Sequence, residues 1–249
     1  MKTKRKLHWD EIKDRTKNAV FVATLAMFAS LPMFHYRFLY LGGHIFSRQP
    51  SGQQAYYLAL SQSFLVLVAA FLSALVCFLY RDRLGLPPFG RAMDGAAGLL
   101  SGLAVGLMLT PVVYFACDSE ILRRIPLLFP RDGLWALAHM AGAAIAQETI
   151  FRLGLTTIGL YFLHRRRWTG YPWPVVAPVA IFGAAGNYLL LVKFNLVQFL
   201  PPAQTAAAVA LSLLLQVLYC HVYLRHGFVS AAAFHMGADV KLAIYALMR

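Results

Sequence analysis

Apolar residues gather along this chain into long runs that are separated by short polar stretches. An α-helix needs about 20 apolar residues to cross a hydrocarbon core of roughly 30 Å. In lipid, each backbone N–H and C=O group must be satisfied within its own segment, so such runs form helices. The pattern therefore predicts an all-α, polytopic transmembrane helical bundle of about seven spans, at residues 18–33, 55–80, 95–117, 134–162, 172–192, 205–224 and 228–248.

The same pattern divides the chain into three parts. Residues 1–17 form a basic segment whose Leu7, Trp9 and Ile12 give a helix face suited to the membrane surface, so we expect a cytoplasmic or interfacial location. Residues 18–133 hold the N-terminal transmembrane helices, and residues 134–249 form a C-terminal transmembrane core. No run of sequence predicts a separate soluble domain.

The charge distribution predicts the orientation of these helices. Of the 249 residues, 59% are hydrophobic and 13% are charged, and the formal net charge is +13. With the N-terminus inside, the inner segments hold about twice as many Lys and Arg residues as the outer ones, which include Arg37. We therefore expect a multi-pass protein of the cell membrane with a cytoplasmic N-terminus. Lys241, near an outer end, should snorkel towards the surface.

Composition also limits the classes of molecule that are expected to bind this chain. A basic chain of this kind attracts anionic lipid head groups. A nucleic-acid partner is not expected, since no soluble module carries a basic face interleaved with aromatic residues. The three cysteines lack disulfide or metal-ligand spacing.

Ionisable residues inside the predicted spans are the candidates for a functional site, because they are costly in a membrane. Glu148 and Arg152 are four residues apart, as are His235 and Asp239, so each pair shares one helix face. Asn187 stands at a similar depth in the fifth span. Counted from the inner ends of their helices, these groups reach compatible depths, so they can line one cavity. Each pair can equally be a polar clasp that holds helices together.

Three motifs in this order resemble those of the CPBP membrane proteins, the CAAX-protease and bacteriocin-processing family that is also called Abi. That family carries Glu-Glu-x-x-x-Arg, Phe-x-x-x-His and His-x-x-x-Asn or Asp on separate membrane helices. The resemblance covers roughly residues 134–248, and the matching segments are Gln147-Glu148-x-x-x-Arg152, Phe182-x-x-x-Gly186 and His235-x-x-x-Asp239.

The resemblance implies an intramembrane endopeptidase of the glutamic type that hydrolyses a peptide bond of a membrane-associated protein or peptide. An active enzyme of this type would need Glu148 as the base that activates water, and the nearby guanidinium of Arg152 would hold it ionised. His235 and Asp239 would stabilise the oxyanion or the water. Gln147 and Asn187 complete the candidate site.

Two positions depart from the family pattern. The first glutamate is replaced by Gln147, whose amide holds a water but cannot accept its proton. The histidine of the second motif is replaced by Gly186, with Asn187 following it. A catalytically inactive family member that acts as a membrane scaffold or regulator is therefore an alternative, and a transporter or lipid-handling protein is a third.

No cofactor is expected from these motifs. A zinc ion held by Glu148, His235 and Asp239 is the alternative, because these side chains offer three suitable ligands.

Overall fold

A computed structural model describes residues 9–46, 48–86, 92–124, 126–193 and 200–248. Every regular element in these ranges is helical, which confirms the predicted all-α class. The α-helices are α1 (Trp9–Ile45), α2 (Gly52–Leu84), α3 (Ala92–Val113), α4 (Ser119–Arg124), α5 (Gly133–Glu148), α6 (Thr157–Arg165), α7 (Trp173–Lys193), α8 (Pro202–His226), α9 (Phe228–Ala238) and α10 (Lys241–Leu247). A 3-10 turn (Pro126–Leu128) precedes α5.

Four of the described helices are long and apolar enough to cross a membrane: Trp9–Gly43, Gly52–Leu84, Asp94–Ala116 and Pro202–His226. Trp173–Leu189 is a shorter apolar helix. A membrane-spanning helical bundle thus agrees with the composition of these helices. The total of seven spans, the plasma membrane and the cytoplasmic N-terminus remain predictions.

The first helix is longer than the predicted first span. α1 passes residues 17 and 18 without a break, and Pro32 lies inside it. Arg15 ties its N-terminal part to the end of α2, where it donates to the carbonyl of Phe78 and forms a 2.6 Å ion pair with Asp82. The predicted interfacial segment is therefore, from residue 9 onwards, the first turns of α1. Residues 1–8 lie outside the described part of the chain.

Local sequence explains several helix ends. Ser51 and Gln54 form a capping box at the start of α2, and Gly85, with φ +65°, ends that helix in the left-handed conformation. The side chain of Asp132 accepts a hydrogen bond from Trp135 N and begins α5. Gly227, with φ +85°, turns the chain sharply from α8 into α9.

Two predicted spans contain π-helical turns. The segment Tyr114–Asp118 joins α3 to α4, and Thr149–Thr156 joins α5 to α6. Each π turn carries an extra residue and changes the face on which later side chains lie, and such turns are frequent at functional sites.

The last predicted span, 228–248, consists of two helices instead of one. α9 ends at Ala238 and α10 begins at Lys241. Backbone hydrogen bonds between residues three apart, in place of the four of an α-helix, mark the junction. They run from Val240 N to Gly237 O at 3.1 Å and from Leu242 N to Asp239 O at 3.0 Å. The break places Asp239 at a helix end.

Glycines allow α3 and α9 to pack with their backbones in contact. A Cβ atom at Gly102 would overlap the carbonyl oxygen of Phe234, and Gly98 and Gly106 meet α9 or the turn after it in the same way. Small residues at four-residue spacing permit this approach. It positions the segment of α9 that carries His235.

Candidate functional site

A buried ion pair lies where α5 passes into its π turn. Glu148 and Arg152 are both 0% exposed, and Arg152 Nε lies 3.1 Å from Glu148 Oε2. The contact is electrostatic, because these two atoms do not meet hydrogen-bond geometry. Arg152 Nη2 donates to Gln216 Oε1 at 2.7 Å and to Gln216 O at 3.1 Å. Such a pair is tolerated in low dielectric only when hydrogen bonds support both charges.

The histidine of α9 completes this network. His235 Nδ1 lies 2.8 Å from Glu148 Oε1. We assign the proton to Nδ1, because an ionised carboxylate only accepts hydrogen bonds. On the other side of the ring, Nε2 lies 3.6 Å from Asp239 Oδ2, too far for a direct hydrogen bond. The ring stacks on Tyr219, with centroids 4.2 Å apart and an angle of 14°.

A cavity of about 320 Å³ opens beside this network, at the lower end of the usual range for small-ligand sites. Helices α1, α3, α4, α5, α7, α8, α9 and α10 contribute to its wall. Its charged and amide-bearing lining residues are Arg37, Asp118, Gln147, Asn187, Gln216, Asp239 and Lys241, and His139 and His235 line it as well.

Four of the six predicted site residues line this cavity, namely Gln147, Asn187, His235 and Asp239. The other two, Glu148 and Arg152, lie behind the lining with fully buried side chains. Successive helical residues point about 100° apart, so Gln147 and Glu148 cannot both face the cavity. The amide faces it, and the carboxylate reaches it only through His235.

The second motif marks the open side of the cavity. Phe182 is 65% exposed on α7, and a Cβ atom at Gly186 would meet no atom within 4 Å. Asn187 and Tyr188 are exposed and also line the cavity, so the cavity reaches the surface of the bundle beside α7. Asn187 Nδ2 donates to Ser212 Oγ at 2.7 Å, which holds this amide against α8.

Sequence reasoning missed two residues of the cavity wall, Arg37 and His139. Arg37, assigned above to an outer segment, lies inside α1, and its Nε donates to His139 Nε2 at 3.3 Å. His139 is 5% exposed. The two residues are 102 positions apart, so no local motif joins them. One signal was available in the sequence: no proline or glycine follows Met33 until Gly42. The first helix could therefore have been predicted to continue through Arg37.

Lys241 does not snorkel to the surface as expected. Its Nζ lies 2.9 Å from Asp118 Oδ2, and Tyr245 donates to the same oxygen at 3.0 Å. The prediction was wrong because Asp118, in the π turn after α3, supplies a buried partner for the ammonium group. A charge with a partner has no need to reach the head groups.

The positions of Glu148, His235 and Asp239 do not favour the zinc site considered as an alternative. Glu148 and Asp239 approach opposite nitrogens of the His235 ring, at 2.8 and 3.6 Å, so the three side chains do not converge on one point. Within the described ranges, no group of three His, Cys, Asp or Glu side chains is arranged to hold a metal ion.

No protein-family model, no curated protein and no solved structure matches this chain. The likeness to the CPBP proteins thus rests on the three motifs alone. The chemistry that the site can perform follows from its own groups: a histidine held by a buried carboxylate, a second carboxylate beside its free nitrogen, and amides across the cavity.

Proposed function

We propose that this chain is an intramembrane peptidase that hydrolyses a peptide bond of a membrane-associated protein or peptide. The observation that carries the proposal is the contact between Glu148 and His235. A carboxylate that holds Nδ1–H leaves Nε2 as the basic nitrogen, and His235 lines the cavity. His235 is then the group that activates water, and Glu148 orients it.

The reaction runs on a water that binds His235 Nε2 and Asp239 from the cavity side. Nε2 takes a proton as the water oxygen attacks the carbonyl carbon of the scissile bond. Gln147, on the cavity wall, donates its amide N–H to the oxyanion that forms. The imidazolium then returns the proton to the leaving nitrogen. The C–N bond breaks, and a carboxylic acid and an amine are released.

Access from the bilayer suits such a substrate. The cavity reaches the surface of the bundle beside α7, where Asn187 and Tyr188 are exposed. A membrane-embedded segment can approach there without crossing water, and Asn187 offers an amide to its unpaired backbone groups.

Hydrolysis in ¹⁸O water tests this proposal. The purified chain, reconstituted in liposomes, is incubated with membrane peptides, and mass spectrometry identifies new C-termini that carry ¹⁸O. We expect such termini with the native chain and about a 100- to 10,000-fold loss with His235→Ala. His221→Ala is the matched control, because His221 is half-buried on α8, contacts Tyr171 and does not line the cavity. Absence of labelled termini, or equal activity of His235→Ala, contradicts the proposal.

A second function is favoured by one observation: of the adjacent residues Gln147 and Glu148, the one that lines the cavity is the amide-bearing Gln147. An amide binds a polar segment but accepts no proton, so the cavity can hold a partner without cleaving it. Gln147→Glu combined with Gly186→His separates the two functions, since open space at Gly186 admits the larger side chain. Activity that arises only in this double variant identifies a binding protein.

A further inference from the structure

Of the two described cations on the cavity wall, Arg37 is the one whose partners are less complete. Its Nε donates to His139, a neutral acceptor in this contact. Asp239 is the acid that interacts electrostatically with Arg37. Among the described residues, however, no carboxylate oxygen lies within 4.0 Å of the Arg37 guanidinium nitrogens, the limit for an ion pair. The two terminal nitrogens of Arg37 make no hydrogen bond to the described residues, although Arg37 lines the cavity.

The contact with His139 orients this guanidinium. His139 is 5% exposed and packs edge-on against Tyr36, with ring centroids 5.3 Å apart, so the imidazole is fixed in place. Because it receives the Nε–H, the pair of terminal N–H groups is left to face another acceptor. A guanidinium fork of this kind matches the two oxygens of a carboxylate or a phosphate.

The charges on the cavity wall distinguish these two ligands. Arg37 and Lys241 are cationic, while Asp118 and Asp239 are anionic, and Lys241 is already paired with Asp118. These four charges sum to zero, so a bound carboxylate leaves the cavity with one negative charge and a phosphate dianion leaves it with two. The carboxylate is therefore the ligand that Asp118 and Asp239 repel less.

We infer that Arg37, positioned by His139, is a binding residue for a carboxylate of the substrate. The inference rests on the proposed function, and it specifies the substrate class as a peptide that carries an acidic group close to the bond that is cleaved. The carboxylate comes either from a Glu or Asp side chain or from the C-terminus. Both present the same two oxygens to the fork.

Binding to the full chain that carries His235→Ala tests the inference without requiring hydrolysis. Three fluorescent peptides with the apolar sequence Ala-Val-Leu-Ala are compared in nanodiscs: a free acid, its C-terminal amide, and an amide in which one Ala is replaced by Glu. We expect at least one carboxylate peptide to bind about 10- to 100-fold more tightly than the neutral amide. The tighter of the two identifies the source of the carboxylate.

Variants of Arg37 give the second measurement. Arg37→Gln should bring the ratio of Kd values close to one, and Arg37→Lys should retain part of it, because a point charge lacks the fork. Arg165→Gln, at the exposed end of α6, should leave the ratio unchanged. Equal binding of the three peptides, no saturable binding of any, or a preference that survives Arg37→Gln overturns the inference. Loss of ¹⁸O labelling with this preference intact overturns only the proposed function.

Discussion

Arg152 and Arg37 both lie within helices of one bundle, but their surroundings differ in kind. Arg152 is fully buried between a carboxylate and both oxygen acceptors of Gln216, and its guanidinium lies 5.3 Å from the centre of the Tyr219 ring. Arg37 has one neutral acceptor and faces a cavity. A cation enclosed by partners holds helices together, whereas one that faces a cavity is available to a ligand. Arginine thus stabilises the packing of the helices at position 152 and is available for binding at position 37.

Removal of the enclosed cation should have the largest effect. Arg152→Met leaves the carboxylate of Glu148 buried without its cation and should lower the free energy of unfolding by about 3–5 kcal/mol. The double variant Glu148→Gln/Arg152→Met leaves no charge stranded, so it should regain most of that stability while hydrolysis stays lost. Denaturant unfolding in detergent measures both. A double variant that retains full activity would show that the pair has only a structural role.

The acceptor of the enclosed cation should matter less than the cation itself. Gln216→Leu removes Oε1, at 2.7 Å from Arg152 Nη2, but keeps the backbone oxygen at 3.1 Å. We expect a loss of about 1.5–3 kcal/mol in the free energy of unfolding, because the bond is to a charged donor. Gln204→Leu on the same helix is the control, since Gln204 Oε1 has no hydrogen-bond partner among the described residues. Equal losses in the two variants would remove the distinction.

The cavity-facing cation should give the smallest change in stability. Arg37→Met removes one hydrogen bond to His139 and replaces a costly intramembrane charge by an apolar side chain. The free energy of unfolding should stay within about 0.5 kcal/mol of the native value or rise. The same unfolding measurement checks it. A loss as large as that of Arg152→Met would mean that Arg37 is a structural partner of Asp239, and the contrast between the two arginines would fail.

Helical periodicity made part of the site readable from sequence. The four-residue spacing of Glu148 and Arg152 predicted a shared face, and the two side chains are in contact. His235 and Asp239 are likewise neighbours across 3.6 Å. Each pair spans about one turn, so the spacing brought its members together although Arg152 lies in a π turn and Asp239 at the end of α9.

Contacts between side chains of different helices could not be predicted from the sequence. Gln216 as the partner of Arg152, and His139 as the partner of Arg37, join positions 64 and 102 residues apart. Periodicity gives the face of each residue on its own helix, but not which helix that face meets. The break at residues 239–240 was missed for a related reason, because an apolar run carries no sign of a turn that forms between packed helices.

The sequence by itself determined the helical class, the approximate extents of most of the helices and the costly polar residues inside them, since these follow from apolar runs and the satisfaction of the backbone in lipid. Only the tertiary structure decided that Gln147 faces the cavity while Glu148 is buried against Arg152 and His235. The two positions are adjacent and differ by about 100° around the helix. Which of the two faces the cavity is set by how α1, α9 and α10 pack against α5, and that packing is a property of the whole bundle.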